Sequence, residues 1–88
     1  MTITKITKIR IKKVLPQEGL VGFASCVLND FLYLGNIAIF SRLNRPDEYR
    51  IVFPIKEKDG KKISLFYPLT SEFYFKLESA ISDEYKGL

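Results

Sequence analysis

The apolar pattern of this chain predicts an α+β fold, with a five-stranded, mostly antiparallel sheet followed by one C-terminal amphipathic helix. Three observations carry that expectation. Ile9 and Ile11 alternate with Lys8, Arg10 and Lys12, and Tyr49, Ile51, Phe53 and Ile55 alternate with Arg50, Val52 and Lys56, the period-two signature of half-exposed strands. Asp59-Gly60 is the strongest turn signal, because both residue types accept the positive φ values of a tight hairpin turn. Beyond Pro68 the period changes, and Phe73, Leu77, Ala80, Ile81 and Tyr85 recur at helical spacing.

The elements follow in order. The first strand, around Ile9 and Ile11, ends at the turn Pro16-Gln17-Glu18-Gly19. Leu20 to Leu28 is a nearly continuous apolar run and forms the second strand. Asn29-Asp30 separates it from the third, Phe31 to Phe40, as a tight hairpin turn. Arg42 to Glu48 is polar, contains Pro46 and reads as a loop. The strand of Tyr49 to Ile55 comes next, with Pro54 marking an edge or the strand's end because it cannot donate to a ladder. Ile63 to Tyr67 is the fifth strand. Thr70 or Ser71 caps the helix, Glu72 and Lys86 suit its dipole, and Glu78, Ser82 and Lys86 are left for solvent.

With 88 residues, the expectation is a single domain over residues 1–88. A chain of this size buries only about 60–65% of the surface its unfolded form exposes, so its stability margin is thin. Cys26 is the only cysteine, which rules out an internal disulfide and suits a reduced core thiol. The segment Met1 to Lys5 has no apolar h-region, and Leu20 to Ser41 is broken by Asp30, Gly35 and Asn36. We therefore expect neither a secretory signal nor a membrane span, and a cytoplasmic protein.

Apolar residues at both parities predict self-association. Val21, Phe23 and Val27 stand against Ala24, Cys26 and Leu28, and Ile37 and Ile39 against Leu34 and Phe40. Both sheet faces then want cover, while one helix of about 22 Å shields one face at most. The second face is expected to lie against a second copy, making a homodimer.

Catalytic constellations are mostly missing from the sequence. It contains no histidine, which removes His-based general bases, Ser-His-Asp triads and the usual zinc sites. Gly19, Gly22 and Gly35 are too scattered for a phosphate-cradling loop. Asp47-Glu48 and Asp83-Glu84 read as solvated charge. The expectation is a protein that binds rather than catalyses, with no metal and no cofactor.

The candidates for binding are basic. The formal charge is +4, and no acidic residue precedes Glu18, while Lys5, Lys8, Arg10, Lys12 and Lys13 do. Lys8, Arg10 and Lys12 share a strand face and form either a stripe that tracks phosphates or the lysine-rich guard of an edge strand. Lys56, Lys58, Lys61 and Lys62 surround the Asp59-Gly60 turn, as a phosphate site or a solvated hairpin tip. Tyr33, Tyr49, Tyr67 and Tyr74 could stack bases or pack.

The order of elements and several strings resemble the SpoVG family, also described as stage V sporulation protein G or septation proteins. Ile6-Thr7-Lys8-Ile9-Arg10-Ile11-Lys12-Lys13-Val14 is similar to that family's first strand, and Phe23 to Phe31 to its second strand and turn. Ile51-Val52-Phe53-Pro54-Ile55-Lys56 resembles its apolar-Pro-Ser-Lys segment, with Asp59-Gly60 at its Asp-Gly turn. Phe66-Tyr67-Pro68-Leu69 and Ile81-Ser82-Asp83-Glu84-Tyr85 resemble the stretch before the helix and the helix end. The resemblance implies a small α+β dimer that binds DNA or RNA and acts as a regulator linked to septation, cell division or sporulation. Carried over by position, it puts Lys56 on the lysine of that segment and Lys58 close to a further basic position. With the basic residues read above, the expectation is that Lys56, Lys58, Lys61 and Lys62 neutralise phosphates, with Arg50 supporting them and the stripe Lys8, Arg10 and Lys12 as the second candidate. Ile55 stands where the family has serine, Glu57 where a second basic residue is common, and Ser71-Glu72-Phe73-Tyr74 lacks a basic residue often found there. The alternative is a non-catalytic interaction module that meets a division or regulatory protein without touching nucleic acid.

Overall fold

A computed structural model describes residues 4–42 and 45–88, with the side chains of residues 45–47 outside that description. In chain order it contains β1 (Ile6–Gln17), β2 (Leu20–Leu28), β3 (Leu32–Arg42), β4 (Arg45–Val52), β5 (Ile55–Lys58), β6 (Lys61–Ser64) and α1 (Ser71–Lys86). The α+β class with an antiparallel sheet and one C-terminal helix is as expected. The strand count is not: a four-stranded sheet in the order β1-β2-β3-β4 stands beside a separate two-stranded sheet, β5-β6. Pro54 is the physical reason, since it interrupts the ladder between Val52 and Ile55. Its carbonyl instead accepts the Leu65 amide at 3.1 Å, closing the base of the β5-β6 hairpin.

The strand expected over Ile63 to Tyr67 runs instead from Lys61 to Ser64, and two other boundaries move. The turn read across Pro16 to Gly19 narrows to Glu18-Gly19, both at positive φ (54° and 90°), and β1 carries Pro16 harmlessly because it is an edge strand. The segment from Arg42 to Glu48, read as a loop, is strand at both ends. β3 runs to Arg42, β4 starts at Arg45, and these two residues face each other in the ladder. Residues 43 and 44, where the rest of that loop falls, lie outside the described residues.

The turn at Asn29-Asp30 holds, at φ 51° and 62°. It also anchors the start of the chain. The Lys5 amide donates to Asn29 Oδ1 at 2.8 Å, the Asn29 amide returns a bond to the Lys5 carbonyl at 2.8 Å, and Lys5 Nζ meets Asp30 at 3.1 Å. At the other end of the chain, Thr70 caps α1 by accepting the Phe73 amide at 3.1 Å.

α1 lies across one face of the four-stranded sheet. Val21, Ala24 and Cys26 from β2, Leu34, Ile37 and Ile39 from β3, Ile51 from β4, and Leu77 and Ile81 from α1 form the buried core. Tyr49 and Tyr85 close one end with ring centroids 4.5 Å apart, and the Tyr85 hydroxyl donates to the Val21 carbonyl at 3.3 Å. Glu78 is not left for solvent as expected. Its side chain is only 14% exposed and bonds Arg42 Nη2 at 3.4 Å.

The parity argument for a second apolar face meets a bulge. Asn36 sits at φ 57°, where the register shifts between the pairs Ala24↔Ile37 and Cys26↔Leu34. The extra residue brings Leu34 onto the same face as Ile37 and Ile39, so the change of parity in β3 does not signal a second core. The residues left on the helix-free face are mixed. Register places Lys12, Phe23, Ala38 and Val52 in one row, Arg10 and Ser25 in another, and Leu20, Phe40 and Arg50 in a third.

Candidate nucleic-acid interface

The hairpin of β5 and β6 is built by its turn. Asp59 and Gly60 take φ 53° and 76°, so the two strands pair in direct register: Ile55↔Ser64, Lys56↔Ile63, Glu57↔Lys62 and Lys58↔Lys61. Side chains of facing residues share a side of a two-stranded ribbon. Lys56, Lys58 and Lys61 therefore share one side with Ile63, while Lys62 lies on the other side opposite Glu57. All these residues are exposed. Among the described residues, the hairpin makes no substantial contact with the four-stranded sheet or with α1. Its root is held by Phe53, whose ring meets Phe66 edge-on at 5.6 Å and Tyr74 at 6.1 Å.

This arrangement presents three ammonium groups on one side of a projecting arm, with carboxylates confined to the tip (Asp59) and to the opposite side (Glu57). Such an arm can meet a polyanion without desolvating anything the fold needs. Lys62 is the member of the predicted set that the ribbon turns away from the others.

Arg50 is placed elsewhere. It belongs to β4, on the helix-free sheet face, with its guanidinium carbon 4.9 Å from the centre of the Phe40 ring. The second predicted stripe is broken. Lys8 has φ 51° at a register shift between Thr7 and Arg10, which removes it from the regular alternation. Arg10 and Lys12 stay together and line an open concavity of about 230 Å³ on the helix-free face, with Phe23, Ser25, Tyr33 and Asn36. β1 is an edge strand, as the guarding reading of these lysines requires.

The tyrosines divide cleanly. Tyr49 packs on Tyr85, and Tyr74 packs on Phe53 while its hydroxyl donates to the Ile51 carbonyl at 2.9 Å. Tyr33 and Tyr67 are 69% and 65% exposed. Phe23, Gly35 and Asn36 were not singled out for binding by sequence reasoning. The alternation of Phe23 with Ser25 opposite Arg10 and Lys12 was the available signal.

A second depression lies beside the helix, lined by Arg42, Glu48, Glu78, Ser82, Asp83 and Lys86. Two of its carboxylates share one cation, with Arg42 reaching Glu48 at 3.8 Å and Glu78 at 3.4 Å. Among the described residues no group of three or more potential metal ligands comes together, and no helix is long and apolar enough to cross a membrane. The groups whose acidity is perturbed lie in the core or pack against it. Burial pushes the Cys26 thiol up, and burial followed by the neighbouring Glu78 carboxylate does the same to the Tyr74 hydroxyl.

The SpoVG family model matches residues 4–87, nearly the whole chain. No curated protein matches the chain.

Proposed function

The chain belongs to the SpoVG family, and on that premise we propose that it is a cytoplasmic nucleic-acid-binding regulator with a role in sporulation, septation or cell division. In this reading Lys56, Lys58 and Lys61 hold the phosphate backbone of DNA or RNA, with Lys62 adding charge from the other side of the arm. The observation that carries it is the hairpin itself, an exposed basic arm whose lysines do no packing work. Backbone contacts of this kind bring affinity with little sequence information. No catalytic step enters the proposal.

We also propose that the working unit is a homodimer. Its support is no longer the second sheet face, which carries Arg10, Lys12 and Arg50, but the apolar surface around the hairpin. Ile55, Leu65, Tyr67 and Leu69 are exposed, Leu69 by 89%, with Ile55 on the side of the ribbon away from Lys56, Lys58 and Lys61 and the other three in the segment that follows β6. The same surface favours a second reading, in which a division or regulatory protein docks there and nucleic acid plays no part.

The test is fluorescence anisotropy of labelled single- and double-stranded DNA and RNA, titrated at several salt concentrations. Wild type should bind, and affinity should fall steeply as salt rises. Changing Lys56, Lys58, Lys61 and Lys62 to Ala should abolish binding of the duplexes, and each single change should flatten the salt dependence by about one unit of slope for a phosphate left unneutralised. Sedimentation of the same protein at micromolar concentration reads the dimer. Absence of binding at low salt, with the dimer intact, would overturn the nucleic-acid role and leave the interaction module.

A further inference from the structure

We propose that the helix-free face of the four-stranded sheet is a second binding site, which takes unpaired bases of single-stranded nucleic acid. Tyr33 and Phe23 stack the bases, and Arg10 and Lys12 hold the adjoining phosphates. The proposal rests on the nucleic-acid reading for its class of ligand, but on different residues for its site.

Four features of the face converge on this occupant. Two aromatic rings line one concavity and are open to solvent, Tyr33 at 69% and Phe23 at 37% exposure. Aromatic faces of this kind accept any base, because every base has a π-face. Next to them Arg10 and Lys12 project from the edge strand, and no carboxylate is among the residues that line the concavity. That charge suits a polyanion and opposes a second copy of this basic chain. Ser25 and the exposed Asn36 add a hydroxyl and an amide, groups able to bond base edges that pairing would hide. Finally, the volume of about 230 Å³ lies below the roughly 300 Å³ at which small-molecule pockets begin, and the site is an open shelf.

Backbone chemistry explains why the shelf exists. The bulge at Asn36 turns β3 locally, and Gly35 leaves room for the Tyr33 ring to lie back along its own strand. A Cβ on Gly35 would stand 2.8 Å from Tyr33 Cε1 and 3.2 Å from its hydroxyl oxygen. Alanine at this position would therefore swing the exposed ring away while leaving the core untouched.

A duplex offers phosphates and groove edges but no free base faces, so the two sites separate by substrate. The experiment titrates one labelled single strand and the matching duplex with wild type, Tyr33→Ala, Tyr33→Phe, Gly35→Ala, the pair Arg10→Ala with Lys12→Ala, and the hairpin quadruple variant. Tyr33→Ala should weaken single-strand binding on the order of tenfold, the loss expected for one stacked base, with no change in salt slope and no change for duplex. Tyr33→Phe should bind as wild type, and Gly35→Ala should fall between. The Arg10 and Lys12 pair should lower the salt slope for the single strand. The chain has no tryptophan, so Tyr33→Trp supplies a lone reporter whose fluorescence a stacked base should quench.

Hairpin variants that lose binding, together with Tyr33 and Arg10-Lys12 variants that bind a single strand like wild type, would sink this site and leave the hairpin reading standing. Failure of wild type to bind any nucleic acid would remove both. A Tyr33→Ala protein that sediments as monomer where wild type is a dimer would assign the face to a second copy and overturn the proposal.

Discussion

Gly22 sits where β1 and the helix residue Tyr85 both come close to β2. It is buried in β2 opposite Lys13 and Ile39, and a Cβ there would approach the Lys12 carbonyl oxygen to 2.9 Å and Tyr85 Cε2 to 3.4 Å. The first of those neighbours is backbone and cannot swing aside. Tyr85 in turn lies under Lys13 Nζ, 4.8 Å from the ring centre, and bonds Val21. Gly22→Ala should cost about 2 kcal/mol by overpacking, read as a lowered urea midpoint. Gly35→Ala, whose close neighbour is an exposed ring, should leave that midpoint nearly unchanged. Equal losses at the two glycines would show that the slot beneath Tyr85 is not as rigid as its geometry states.

At the scale of elements, α1 and the β5-β6 hairpin differ in what holds them. The helix is fastened by a buried stripe, Leu77 and Ile81, and by Thr70 at its N-terminus. Thr70→Ala should cost about 1 kcal/mol, the usual value of a missing cap, and thermal unfolding should register it as a shift of a few degrees. The hairpin has exposed residues on both sides and depends on its turn and on Phe53 at its root. The start of the helix, placed at Thr70 or Ser71, and the hairpin turn were legible in sequence, because a capping hydroxyl and Asp59-Gly60 are local signals that work through their own backbone. The interruption of the sheet at Pro54 was half legible. Proline announced a break, but whether the chain resumed in the same sheet depended on partners distant in sequence.

Across the whole molecule, the core holds its protons more tightly than the unfolded chain does. Cys26, Tyr74 and Tyr85 are all pushed above their ordinary values, 9.0 for the thiol and 10.0 for the phenols, with burial the leading cause in each case. A group raised on folding contributes stability that is complete below its unfolded value and is lost as pH climbs through the folded one. Urea unfolding should therefore give a level stability from pH 7 to 8 and a decline above about pH 9, where the unfolded thiol and then the phenols ionise first. A stability that stayed level to pH 11 would contradict the burial of these groups.

The sequence by itself determined the class of the fold, the helix with its cap, the hairpin turn and the set of cations available for binding. These are local properties, fixed by backbone preference within a few residues or by side-chain type. The tertiary structure alone decided which of those cations lie together. Lys62 turns away from Lys56, Lys58 and Lys61 because strand register assigns sides, and Lys8 leaves Arg10 and Lys12 because a bulge breaks the alternation. Asn36 likewise moved Leu34 into the core and left a mixed face where two apolar faces had been expected. A single inserted residue exchanges the two faces of a strand from that point onward, and only the pairing of the strands reveals where it is inserted.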